Sequence, residues 1–204
     1  MKRTLFVIAG LLLIAALGFA QSSGVSTSYG VGYGIHRYTI TDGVISETSD
    51  FQGLGLHIVN FIGDELGFYQ RLYLGLATSV AFTYSDGSNS VTSDRSPIDV
   101  PVMNQIIMVG PGYRMSLDRA QSLTFAGGLS MTALISLDES VPIGWFTLGA
   151  GATTDYSYTF GALRLTAGIG VNYDFYQLLD LTGAPSGIEF VNAFSLAPHV
   201  SIGF

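Results

Sequence analysis

The sequence predicts an all-β fold: a closed, antiparallel, up-and-down transmembrane β-barrel of eight strands. Apolar and polar residues alternate along much of the chain, which is the period of strands whose two faces meet different surroundings. Hydrophobic residues make up 48% of the chain, and its 26 glycines argue against long helices. After the N-terminus, no uncharged apolar run is long enough for a membrane-spanning helix. Such a chain must hide its apolar surface in a core or in lipid.

Eight segments have the length that a tilted membrane crossing requires. The predicted strands are residues 25–40, 51–62, 68–84, 100–115, 122–137, 145–157, 162–176 and 194–204. The third is predicted to present Val80 and Phe82 to lipid, in phase with its leucines. The seventh alternates most clearly, with Leu165 and Ile169 on the lipid face. An even strand number places both chain ends on the periplasmic side, below longer extracellular loops at 41–50, 85–99 and 179–189.

Each end of the chain carries an export signal. Lys2 and Arg3 precede an apolar run that is too short to span a bilayer, and the small residues Gly18 and Ala20 follow it. Residues 1–20 are therefore predicted to be a signal peptide, and residues 21–204 one outer-membrane barrel domain. At the other end, Val200, Ile202 and Phe204 alternate with small or polar residues. These three resemble the β-signal by which insertion machinery recognises bacterial outer-membrane barrels.

Composition excludes several classes of site. The chain has no cysteine, which excludes disulfides, thiolate metal sites and a lipidated N-terminal cysteine. Its formal charge of −7 becomes −9 once Lys2 and Arg3 leave with the signal peptide, so it would repel nucleic acid. The histidines lie singly on different strands, and the glycine-rich segment 30–34 precedes no helix. We expect no cofactor, no metal and no nucleic-acid partner.

Charged and histidine side chains fall on the inward faces of the predicted strands. The predicted interior polar cluster consists of Arg71, Arg114, Arg164, Asp174, His36, His57 and His199. One interpretation is a plug of ion pairs and hydrogen bonds, because eight strands leave room for little more than side chains. The other is a polar constriction in a pore, since glycines on the same faces leave empty volume. A continuous void would favour transport, and a sealed arginine–aspartate network would favour a structural role.

The tripeptide from His199 to Ser201 is similar to the His-x-Ser pair of lipid A deacylases of the PagL type, which are eight-stranded barrels. A serine beside an imidazole could act as a base-activated nucleophile. Here, however, the pair shares the inward face of Ala197 and Gly203, whereas such an enzyme must present it to lipid. We therefore expect an interior histidine and no enzyme.

Two prolines lie inside predicted strands, Pro111 in the fourth and Pro198 in the eighth. Each removes one ladder hydrogen bond from a closed barrel. The result is either a bulge with a register adjustment or a local gap in the wall. A gap would resemble small OmpW-type barrels, which are associated with passage of small hydrophobic molecules.

As a whole, residues 21–204 resemble the OmpA, OmpX and OmpW group of small barrels in pattern, end signal and length, and look like small spirochaete outer-membrane proteins. The resemblance implies an outer-membrane location with lipid and the insertion machinery as partners. The expected role is structural or surface interaction with an extracellular ligand, and the alternative is a narrow pore for a small solute. A soluble β-sandwich or lipocalin-like carrier is the rival fold, which would bury the faces assigned to lipid.

Overall fold

The computed structural model describes residues 25–136, 144–180 and 189–203. They form β1 (Val25–Thr41), β2 (Ser46–Gly63), β3 (Leu66–Ser85), β4 (Ser90–Thr92), β5 (Ser96–Ser116), β6 (Gln121–Ser136), β7 (Gly144–Phe160), β8 (Leu163–Asp180) and β9 (Glu189–Gly203). The predicted signal peptide at 1–20 and the terminal Phe204 lie outside the described residues. The described segments contain no helix with the length and apolar character to cross a membrane.

The eight long strands close into one antiparallel barrel. Each pairs with its neighbour along the chain, and β1 also pairs with β9, from Ser28 opposite Gly203 to Thr41 opposite Glu189. The short β4 pairs only with the outer end of β3. Below it, β3 pairs directly with β5, which is the next strand of the barrel wall. Closure gives the backbone groups of every long strand partners on both sides, which a sheet in lipid requires. The predicted fold class is confirmed.

The two faces of the wall differ as alternation predicts. On β8 and β9 the outward residues Leu165, Ile169, Val200 and Ile202 are exposed, while inward neighbours are buried. Aromatic side chains are also exposed on the outer surface near strand ends, as interfacial girdles require. These are Tyr113, Tyr156, Tyr158, Tyr173 and Phe175. The rival soluble fold is therefore wrong, because the faces assigned to lipid are not buried.

The outer half of β3 departs from the predicted phase. A β-bulge between Ala77 and Ser79 adds one residue against β2 and reverses the faces beyond it. Val80 is buried and Phe82 is partly buried inside the barrel, not turned toward lipid. The prediction failed because a bulge shifts the phase without changing the residue types on either side.

The first two outer connections have more strand structure than predicted. The β1–β2 connection is a four-residue turn at 42–45, and Asp50 lies in β2 rather than in a loop. Backbone N–H groups of Ile45 and Val44 donate to Asp42 Oδ1 at 2.7 and 2.9 Å and hold the pKa of this carboxyl below its usual range. Asp86 caps the β3–β4 turn in the same way, so part of the predicted second loop is an ordered hairpin.

Both strand prolines interrupt the ladder without shifting the register. The breaks fall between the pairs Gly32–His199 and Ile35–Leu196, and between Val109–Leu129 and Gly112–Ala126. A bulge at either proline is therefore wrong. Pro198 and Pro111 lack the N–H that a ladder bond needs, which leaves a local gap on one side of each. Inside the first gap, Tyr73 and Ala197 are fully buried, so the wall stays filled there.

Replacing Ile169 with arginine should destabilise the folded barrel. The side chain is outward and 44% exposed in the middle of β8, where an arginine at the bilayer midplane costs about 2–4 kcal/mol. Leu165→Arg is the matched control, because Leu165 lies near the periplasmic end of the same face, where the cost falls to about 0–1 kcal/mol. Reversible unfolding in lipid vesicles measures both, and equal costs would contradict the assigned depth.

Candidate functional site in the barrel interior

The extracellular end of the interior is filled by apolar side chains. This outer apolar cluster consists of Tyr38, Phe51, Ala77, Val80, Val102, Leu134 and Ala193, with Phe82, Ile98, Trp145 and Phe190 packed against it. The Tyr38 ring stacks on Trp145 with centroids 5.3 Å apart and meets Phe51 edge-on at 6.2 Å. These residues come from seven of the eight long strands, so apolar packing joins opposite walls of the barrel.

Arg71 lies at mid-height on β3 and is completely buried. Its Nη2 donates to Asn172 Oδ1 on the opposite wall at 3.0 Å, while Nε and Nη1 make no hydrogen bond to another described residue. Gly170 faces the guanidinium, and a Cβ there would overlap Nη1. The glycine on β8 therefore provides the space that the arginine occupies.

Asp155 on β7 organises the polar interior. Its Oδ2 accepts a hydrogen bond from the Tyr69 hydroxyl at 2.7 Å, and its Oδ1 accepts one from Thr153 Oγ1 at 3.2 Å. His199 Nε2 lies 3.2 Å from Oδ1, and the His199 ring stacks on His57 with centroids 3.6 Å apart. These side chains therefore link β2, β3, β7 and β9 across the interior.

Sequence reasoning did not name Asp155 because no face was assigned to the sixth predicted strand. The middle of this strand, residues 149–154, contains only glycine, alanine and threonine, so hydrophobicity there gives little information on which residues face inward. The structure places Asp155 inward, at 2% exposure, and turns Tyr156 outward. The short turn to β8 could have shown which residues of β7 face inward, because directly paired residues on neighbouring strands point to the same side of a sheet.

The other predicted interior residues lie in separate groups. Asp174 accepts hydrogen bonds from Thr147 Oγ1 at 2.7 Å and Ser130 Oγ at 3.0 Å. His36 is buried 5.7 Å from the Tyr73 ring, measured between centroids. Among the described interior residues, hydroxyl groups and a histidine contact the two buried carboxylates, and no arginine pairs with either. A single arginine–aspartate network is therefore wrong.

His199 and Ser201 both face the interior and are at most 5% exposed. Ser201 Oγ donates to Ser28 Oγ at 3.2 Å, while the His199 ring is held between His57 and Asp155. The serine hydroxyl is thus directed to β1 and not to the imidazole. Within the described residues, no group of three or more histidine, aspartate or glutamate side chains is placed to hold a metal ion.

A pocket remains at the periplasmic end of the interior. It is partly open to solvent, and Arg114 and Arg164 line it from β5 and β8. Arg114 Nη2 donates to Ser26 Oγ at 3.2 Å, and its Cζ lies 4.1 Å from the centroid of the Phe61 ring. The arginines predicted for the polar cluster thus divide between Arg71, inside the barrel, and these two at its mouth.

Comparison with solved structures finds one match that supports the fold, followed by weaker ones. Neisserial surface protein A matches with a TM-score of 0.54 and 13% identity, over 89% of this chain and 100% of that chain. Ail, the attachment invasion locus protein of Yersinia pestis, matches at 0.43 and 11% identity over 90% and 100% of the two chains. The outer membrane protease OmpT from Escherichia coli matches at 0.43 and 8% identity over 88% and 95%. No protein-family model matches the sequence, and no curated protein does.

The chain is an outer-membrane β-barrel. The likeness to Neisserial surface protein A shows the fold, and the chain's own surface agrees with it. A closed wall with an exposed apolar exterior and polar groups buried within is stable only where lipid surrounds it.

Replacing Asp155 with alanine should cost about 2–3 kcal/mol of unfolding free energy, because the Tyr69 hydroxyl and His199 lose their buried partner. Asp50→Ala is the matched control. Asp50 binds Arg37 through two hydrogen bonds of 2.7 and 2.9 Å, but the arginine side chain is 56% exposed. Losing this outer pair should cost less than about 1 kcal/mol. Urea unfolding in vesicles compares them, and equal losses would argue against a structural role for Asp155.

Proposed function

We propose that this protein is a non-enzymatic outer-membrane barrel with a plugged interior, which holds its extracellular hairpins in place for a structural or surface-interaction role. The outer apolar cluster carries the proposal. Tyr38, Val102 and Leu134 are at most 1% exposed at the level where a solute would enter from outside. Interdigitated side chains at native packing density leave no room for hydrated ions.

The extracellular hairpins have the regular structure that a rigid surface needs. Beyond the membrane, β1, β2, β3 and β4 continue as one sheet. A row of threonines crosses it, with Thr39 opposite Thr48, Thr48 opposite Thr83 and Thr83 opposite Thr92. Hydroxyl contacts of 3.2 Å between Thr39 and Thr48, and of 3.0 Å between Thr83 and Thr92, support the outer pairs. Cross-strand threonine pairs stabilise sheets, so the hairpins extend the barrel as a platform.

The surface of this platform suits a basic or polar partner. Its described rim carries Asp42, Asp86, Asp94, Asp99 and Glu189, all exposed, against Arg95. The hydrogen bonds that lower the pKa of Asp42 and of Asp86 keep these two carboxylates charged at more acidic pH than usual. Salt would screen the attraction of such a rim for a basic ligand.

Transport is the second candidate, and the ladder gaps at Pro111 and Pro198 are the observation that favours it. A path through the gap at Pro198 would have to displace Tyr73, whose hydroxyl donates to the Gly53 carbonyl at 3.1 Å. The plugged role therefore ranks above an OmpW-like lateral path for a small hydrophobic solute. A lipid A deacylase-like activity ranks lower still, because His199 and Ser201 face away from lipid.

Kinship with the OmpA, OmpX and OmpW group, or with small spirochaete proteins, belongs to the same proposal. It is supported by the eight long strands and by the outward positions of Val200 and Ile202, which would meet the insertion machinery and then outer-membrane lipid. Cleavage after residue 20 remains a prediction of the sequence.

Refolded protein should give no steady conductance in a planar lipid bilayer, because the outer apolar cluster closes the path for ions. Single-channel recording with the folded state verified by gel mobility tests this, with unfolded protein in the same detergent as the control. Stepwise openings whose number scales with folded protein would contradict the plugged interior and favour the transport role.

A further inference from the structure

The pocket at the periplasmic mouth has the composition of an anion site. Arg114 and Arg164 supply two positive charges, from β5 and β8. Hydroxyl groups surround them on four strands: Ser26, Ser28, Thr124, Ser157 and Thr166. Guanidinium and hydroxyl groups are the side-chain donors that bind oxyanions, and arginine can bind two oxygens at once.

Neither arginine forms an ion pair with a carboxylate of the described residues, although Asp155 and Asp64 attract Arg114 at longer range. Among the described residues, neither has a carboxylate oxygen within 4.0 Å of a side-chain nitrogen, the limit within which His199 and Asp155 pair. Arg114 is instead positioned by Ser26 and by the face of the Phe61 ring. A cation held in place by a neutral hydroxyl and an aromatic ring keeps most of its donors free for a ligand.

Asp155 also lines the pocket, at its inner end, and would oppose an anion. Its carboxylate, however, already accepts hydrogen bonds from Tyr69 and Thr153 and faces His199. These contacts already occupy the carboxylate oxygens of Asp155. The other charged side chains that line the pocket are Arg114 and Arg164.

We propose that this pocket binds a compact oxyanion of the phosphate class, with Arg114 and Arg164 as its ligands. A doubly charged phosphate matches two guanidinium groups, and the surrounding hydroxyls can donate to its remaining oxygens. The lining residues are on the inner face of the wall, away from lipid. The favoured source is therefore a soluble periplasmic phosphate or phosphomonoester, and a phospholipid headgroup is the competing source of the same chemistry.

Titration of the refolded, full-length mature barrel with inorganic phosphate tests the site. Arginine side-chain NMR signals should shift for two residues and saturate, and calorimetry should give one site per chain. Arg164→Gln and Arg114→Gln should each weaken binding about tenfold or more, as expected for a lost hydrogen bond to a charged group. Arg119→Gln is the matched control, because Arg119 is an exposed arginine on the periplasmic β5–β6 turn.

The outcomes separate the alternatives. Unchanged binding by Arg119→Gln, with loss in both pocket variants, supports the site. Equal weakening by all three, or shifts that never saturate, would overturn it as diffuse charge attraction. Arg164→Lys keeps the charge and guards against misfolding, and it should retain part of the affinity. Glycerophosphate and a short-chain phosphatidylglycerol are compared next, and binding of the lipid alone would overturn the soluble source.

Discussion

The narrow interior of an eight-stranded barrel constrains the whole structure. Eight strands enclose a space just wide enough for side chains, so each large inward residue must find room on the facing wall. Arg71 has that room because Gly170 lies opposite, and Asp155 and His199 can meet because Gly168 lies between them on β8. The interior glycines therefore mark positions that neighbours fill, and the interpretation of a glycine-lined pore is wrong at these positions.

This packing decides what the polar groups can do. Buried charges in so narrow a space are stable only where hydrogen bonds replace water. The carboxylates of Asp155 and Asp174 meet that condition through hydroxyl groups from other strands. These hydrogen bonds stabilise the wall, and the outer apolar cluster closes the interior on the extracellular side. Toward the periplasm the filling stops, and Arg114 and Arg164 are left facing a partly open pocket.

Alternation along single strands predicted the wall well, because lipid outside and polar groups inside impose opposite requirements on successive residues. It succeeded on β8 and β9, where Ile169 and Val200 face outward. It failed where the facing direction depends on how strands pair. The bulge at Ala77 turns Val80 inward, and alternation did not identify which residues of β7 face inward. Contacts between walls, such as Tyr69 with Asp155, are set by barrel shear and cannot be read from one strand.

A double-mutant cycle between Gly170 and Arg71 tests most directly whether the interior is filled by glycines opposite large side chains. Gly170→Ala should destabilise the wild-type barrel, because the added methyl overlaps the buried guanidinium of Arg71, whose displacement disturbs its hydrogen bond to Asn172. In the Arg71→Leu background the same change should be neutral or stabilising, which gives a coupling on the order of 1–3 kcal/mol. An equal effect of Gly170→Ala in both backgrounds would contradict a filled interior.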